Sequence, residues 1–126
     1  MTGGDRRLRR VLRLQQRLEQ VEVARLARTN ALMRDLTEHE AQLIGYLAQG
    51  DGAAGMFPGL VLQRLADTNS RRALAATTSS AQEKAANEQA RRVKQTEAMV
   101  ERAERDRERE EAAKELREII DLAIGR

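Results

Sequence analysis

Apart from Gly45, every glycine and the single proline of this 126-residue chain fall at its two ends or between Gly50 and Gly59. Residues 6–49 and 60–123 are therefore nearly free of the two residue types that most weaken a helical hydrogen-bond ladder. Ala, Leu, Glu, Arg, Gln and Lys fill both stretches, and aromatic residues make up only 2% of the chain. A sheet-rich domain would need more β-branched and aromatic side chains. The expected fold is all-α: a long antiparallel two-helix coiled-coil hairpin with an overhanging C-terminal helix. Helix one spans 6–49, a Gly-rich turn 50–59, and helix two 60–123, which at 1.5 Å per residue runs to about 95 Å.

On helix one, Val11, Leu14, Leu18, Val21, Leu32, Leu36, Leu43 and Leu47 recur mainly at spacings of three and four and predict a packed seam. Buried fully, these eight would stabilise the fold by about 12–24 kcal/mol before chain entropy offsets most of that gain. The step from Val21 to Leu32 is eleven residues, with Arg25 and Arg28 inside it, which predicts a looser, straighter stretch. Asp5 is placed to cap the first turn. Helix two offers a thinner seam of Leu62, Leu65, Leu74, Ala73, Ala76, Ala81, Ala85, Ala86, Ala90, Val93 and Val100. The run Thr77, Thr78, Ser79, Ser80 competes for backbone hydrogen bonds and raises the prospect of a break or bend there. Ser80 and Glu83 have the spacing of a capping box, weighed against a polar patch in an unbroken helix. A turn near residue 54 sets Leu8 opposite Val100.

Catalytic chemistry finds little support. The chain has no Cys, so it can offer neither a thiolate nor a disulfide. Gly50, Gly52 and Gly55 match G-x-G-x-x-G without the strand and βαβ unit that dinucleotide binding requires, so they read as a hinge. His39 has no second His one turn away to share a metal and reads as a polar seam residue. No nucleophile stands beside a base on a water-excluding scaffold. No cofactor and no enzymatic activity are expected, and no small-molecule substrate. No window approaches the roughly 18 apolar residues of a membrane span. The expected location is the cytoplasm, without membrane insertion.

Two features remain as binding candidates. Arg6, Arg7, Arg9, Arg10, Arg13 and Arg17 precede Glu19 against Asp5 alone, and arginines at a helix N-terminus oppose the macrodipole. They pair with Glu97, Glu101 and Glu104 across the hairpin, or they dock an acidic protein surface through bidentate contacts. A phosphate backbone or a membrane surface ranks lower, since no aromatic residue interleaves to stack bases. Beyond Glu104 helix two outruns helix one, and Ala112, Leu116, Ile119, Ile120 and Ala123 form an apolar stripe with no internal partner. Tyr46 and Phe57 flank the turn, either closing it with a small apolar cluster or, for Phe57, meeting a partner.

Arg7-Leu8-Arg9-Arg10-Val11-Leu12-Arg13-Leu14, followed by Glu19, Glu22, Ala24 and Ala27, resembles the opening of the FliJ family of flagellar export proteins. Arg91-Arg92-Val93-Lys94, Glu97, Glu101-Arg102, then Glu111 and Lys114-Glu115-Leu116-Arg117-Glu118-Ile119-Ile120-Asp121 resemble that family's charged C-terminal helix. The resemblance implies a non-enzymatic stalk, similar to the central shaft of rotary ATPases. It would sit in the ring of the export ATPase hexamer and contact the cytoplasmic domain of the export gate. The Arg6–Arg17 end and the helix bearing Leu116, Ile119 and Ile120 would enter the ring, with peripheral association at the cytoplasmic face of the membrane. Injectisome stalks resemble it equally. The alternatives are a self-associating homo-oligomeric scaffold or export chaperone, and behind it a basic nucleic-acid-binding coiled coil.

Overall fold

The computed structural model describes residues 3–50 and 52–125. Three helices follow one another, α1 (Gly3–Gln49), α2 (Gly52–Met56) and α3 (Pro58–Ile124), and among the described residues none lies in a strand. The chain is all-α.

Helix α1 starts at Gly3, ahead of the expected Asp5 cap. Asp5 lies instead within the first turn, where a carboxylate still complements the positive end of the helix. The helix stops at Gly50, whose φ of 66° places it in the left-handed region and whose N–H reaches the Tyr46 carbonyl at 3.2 Å. Gly fills such a position without a Cβ penalty. The expected turn of 50–59 is shorter than its Gly and Pro content suggests. Residues 52–56 form the short α2, and a Cβ on Gly55 would collide with the Gly50 carbonyl. Pro58 opens α3 rather than preceding it, because the first helical position needs no donor. The Phe57 carbonyl accepts from Leu60 N at 3.2 Å and from Val61 N at 3.3 Å. Asp51 of the expected turn lies outside the described residues.

Helix α3 continues unbroken through Thr77–Ser80, so neither a break nor the capping box forms there. Thr77 and Thr78 donate their hydroxyls to the Ala73 and Leu74 carbonyls four residues back, at 3.2 and 3.1 Å, and Thr68 does the same to Arg64 at 2.8 Å. The competing hydroxyls thus bond to carbonyls of the same helix, which stays unbroken.

Close contacts group the chain into two compact units: unit 1 is Met1–Glu19 with Gln89–Arg126, and unit 2 is Gln20–Glu88. In unit 2, α1 turns Glu22, Leu26, Thr29, Met33, Leu36, Glu40, Leu43 and Leu47 inward, at strictly alternating steps of four and three. From α3 come Val61, Leu65, Thr68, Arg72, Ala75, Ser79, Gln82 and Ala86 at the same steps. Ser79 donates to Asn30 Oδ1 at 2.8 Å, and Arg72 lies 2.7 Å from the Glu40 carboxylate. Rising numbers on α1 thus meet falling numbers on α3, and the two segments run antiparallel. The Arg72–Glu40 approach is that of paired charges, off the direction of a hydrogen bond.

In unit 1 the inward positions are Leu8, Leu12, Gln15 and Glu19 on α1, and Gln89, Val93, Thr96, Val100, Ala103 and Arg107 on α3. Gln89 Nε2 donates to the Gln15 carbonyl at 3.0 Å, and Thr96 Oγ1 donates to Gln15 Oε1. Buried Gln89 and Thr96 therefore have partners. Asp5, Leu8, Arg9, Val100, Ala103 and Glu104 line one small cavity, which places Leu8 beside Val100.

The seam differs from the one read off the bulky residues. Val11, Leu14, Leu18, Val21 and Leu32 are exposed, as are Leu62 and Leu74 and the alanines Ala73, Ala76 and Ala81. Leu36 and Leu43 are buried, and Leu47 is half-buried. The physical reason is phase. Leu8, Leu12, Leu26, Leu36 and Leu43 belong to one series of threes and fours, and Val11 to Val21 belong to another, one residue ahead. The eleven-residue step from Val21 to Leu32 is a property of that outward series, and the packed series steps across it by fours and threes through Glu22, Leu26, Thr29 and Met33. Small and polar residues take the places between, which lets backbones approach at little gain in buried area.

Truncating Leu43 to Ala should cost about 2–5 kcal/mol in urea unfolding, whereas Leu14→Ala, at a residue 59% exposed, should stay within about 0.5 kcal/mol. Equal costs would contradict the phase. In thermal melts followed by circular dichroism, Gly45→Ala should stabilise by about 0.5–1 kcal/mol, since a Cβ there meets nothing within 4 Å. Gly50→Ala should destabilise by about 1–2 kcal/mol because of its positive φ.

Candidate protein-interaction surface

The basic end of α1 is built from two rows. Arg6, Arg10, Arg13 and Arg17 recur at steps of four, three and four on the outward side, and all four are exposed, as is Arg7. Arg9 alone turns toward α3, where its guanidinium pairs with Glu104 in unit 1, the side chains being 37% and 42% exposed. Of the three glutamates that could have met the cluster, only Glu104 does. Glu97 and Glu101 each follow an inward residue, Thr96 and Val100, by one position and face solvent instead. Among the described residues no ion pair engages Arg6, Arg7, Arg10, Arg13 or Arg17. Five cations are thus presented to whatever lies outside.

Arg107 is the last half-buried position of α3, and every residue over 108–125 is exposed. Continuing the inward series past Arg107 gives Glu110, Lys114, Arg117 and Asp121, all charged. The apolar Leu116 and Ile120 each precede one of these by a residue, about 100° around the helix. Ile119 flanks them. Leu116, Ile119 and Ile120 therefore form one apolar strip that the described residues of the chain leave uncovered.

A second strip went unread in the sequence. Val11, Leu14 and Leu18, expected in the seam, stand exposed beside the arginines. The available signal was the one-residue offset from Leu8 and Leu12, which the hydropathy of either series alone does not reveal.

Unit 2 carries an open cleft of about 350 Å³ lined by Thr29, Leu32, Leu36, Arg71, Leu74, Ala75 and Thr78. His39 lines a neighbouring, more polar one with Arg64 and Asp67. Tyr46, Met56 and Phe57 are exposed, so the two aromatic residues do not enclose an apolar plug at the turn. Among the described residues no group of three or more His, Asp or Glu is gathered in a metal-binding arrangement, and no helix is long and apolar enough to cross a membrane.

This surface has the composition of a binding face. It offers two apolar strips, one among surplus arginines and one among surplus carboxylates, on helical backbone. Compared with family models, with curated proteins and with solved structures, the chain matches none.

A double-mutant cycle on Arg9 and Glu104 should return a coupling of about 0.2–1 kcal/mol that fades at high salt, as for other partly exposed pairs. A larger, salt-independent coupling would mean that the pair is enclosed by something further.

Proposed function

We propose that the chain is a coiled-coil hairpin that serves as a non-enzymatic stalk of a bacterial type III export apparatus, coupling the export ATPase ring to the cytoplasmic domain of the export gate. The observation that carries this reading is the exposed tail of α3: a helix that continues past its last half-buried residue, Arg107, and ends in the uncovered Leu116, Ile119 and Ile120. Apolar side chains exposed in a row on a regular helix fit the groove of a partner. The outward arginines Arg6, Arg7, Arg10, Arg13 and Arg17 supply a second contact of the kind that engages carboxylates in forks. The similarity of the first helix and the charged last helix to the FliJ family points to the export ATPase as the owner of that groove. Glu-rich turns such as Glu108 to Glu111, with Lys114 one turn beyond Glu110, support the tail as a helix in the absence of a partner.

The role is mechanical: binding at the tail and the basic end, with the remaining helix spanning toward the gate in the cytoplasm. Replacing Leu116, Ile119 and Ile120 together by Gln should weaken capture of a flagellar or injectisome export ATPase hexamer by about tenfold or more, with the far-ultraviolet spectrum unchanged. Capture at wild-type strength would remove the tail as the binding element.

A further inference from the structure

The two exposed strips of unit 1 are built alike. Val11, Leu14 and Leu18 follow one another at steps of three and four, each one residue ahead of the inward series on α1. Ala113, Leu116 and Ile120 have the same steps and the same offset on α3. Each therefore occupies about 10 Å of helix axis and is rotated about 100° from the packed face. Their surroundings have opposite charge. From Gly3 to Glu19 six arginines stand against Asp5 and Glu19, a surplus of four positive charges. From Glu108 to Ile124 six carboxylates stand against Arg109, Lys114 and Arg117, a surplus of three negative charges. The strips match in length and spacing and are complementary in charge.

A chain cannot bring its own tail onto its own Val11 face. Helix α3 is continuous from Pro58 to Ile124, and a return would break it. A second copy has no such restriction. We infer that two copies pair reciprocally, the tail of each lying on the Val11, Leu14 and Leu18 strip of the other. Reciprocity follows from twofold symmetry, which makes both contacts at once and leaves no open end for further growth. The association buries six apolar residues per copy in two helix contacts and sets carboxylates beside arginines, so its strength falls with ionic strength. The inference stands apart from the stalk reading. An ATPase and a second copy would compete for one tail, and self-pairing would shield the strip until the ATPase displaces it.

Sedimentation equilibrium of the full chain, with no ATPase present, tests this. At low salt the mass should rise with concentration from 14.2 kDa toward twice that value and stop there, and high salt should shift it back to the monomer. Leu14→Asp with Leu18→Asp should yield monomer, and so should Leu116→Asp with Ile120→Asp, both with wild-type helicity. Mixing the two variants should recover some dimer, because one intact tail then meets one intact strip. A monomer at every concentration overturns the inference. So does a dimer that survives the Leu14 and Leu18 substitutions, which would indicate tail-to-tail pairing, or one that survives the Leu116 and Ile120 substitutions. Because the readout contains no ATPase, its failure leaves the stalk proposal standing, and failure of ATPase capture leaves the dimer standing.

Discussion

Everything in this fold depends on keeping one phase of threes and fours on each long helix. A helix advances 3.6 residues per turn, so only a series alternating three and four stays on one face, and the series one residue away faces elsewhere. Both long helices carry two such series. The one that packs contains Leu36, Leu43, Ala75, Ala86 and Val93, supplemented by hydrogen-bonded Thr and Gln. The other carries several of the largest apolar side chains and is left outside. The packed series buries few large side chains: each of the two buried leucines contributes about 1.5–3 kcal/mol, a modest return against the entropy of ordering the helices. Polar residues in the seam fit this balance. Gln15 holds Gln89 through its carbonyl and Thr96 through its side chain, fixing alignment in unit 1, and Asn30 with Ser79 does so in unit 2.

The helical character of the chain was legible from its Gly and Pro placement, because the absence of breakers over long stretches is a backbone property that needs no tertiary information. The stop at Gly50 was legible for the same reason. Pro58 was not: a proline excludes helix interior but welcomes the first turn, and only the position of the next element decides which applies. The Thr77–Ser80 run also resisted reading, since side-chain bonds to carbonyls four residues back are compatible with an intact helix.

Of the surface, the tail was legible and the Val11 strip was not. Past Arg107 the inward series is charged, so Leu116 and Ile120 can only face away from it, whatever the partner. At Val11, Leu14 and Leu18, by contrast, bulk and hydrophobicity favour the wrong series. Leu8 and Leu12 occupy the right one with equal hydropathy, and Gln15 and Glu19 argue against it until Gln89 and Thr96 are seen to meet Gln15. Hydrophobic patterning ranks faces by transfer energy, whereas this seam is selected by continuity of phase and by pairing of polar groups. The basic cluster divides along the same line: Arg9, beside the packed face, finds Glu104, and the others, further round, stay exposed.

Beyond Arg107, α3 continues as a helix whose apolar strip the described residues leave uncovered. Amide hydrogen exchange on the dilute wild-type chain, under conditions where it is monomeric, reports on that exposure. Amides around Val93 and Thr96 should exchange slowly, while those over 112–124 should exchange orders of magnitude faster, as in a solvated helix that frays from its end. Matching protection in the two segments of the monomer would show the strip packed against its own chain and would rule out an uncovered tail.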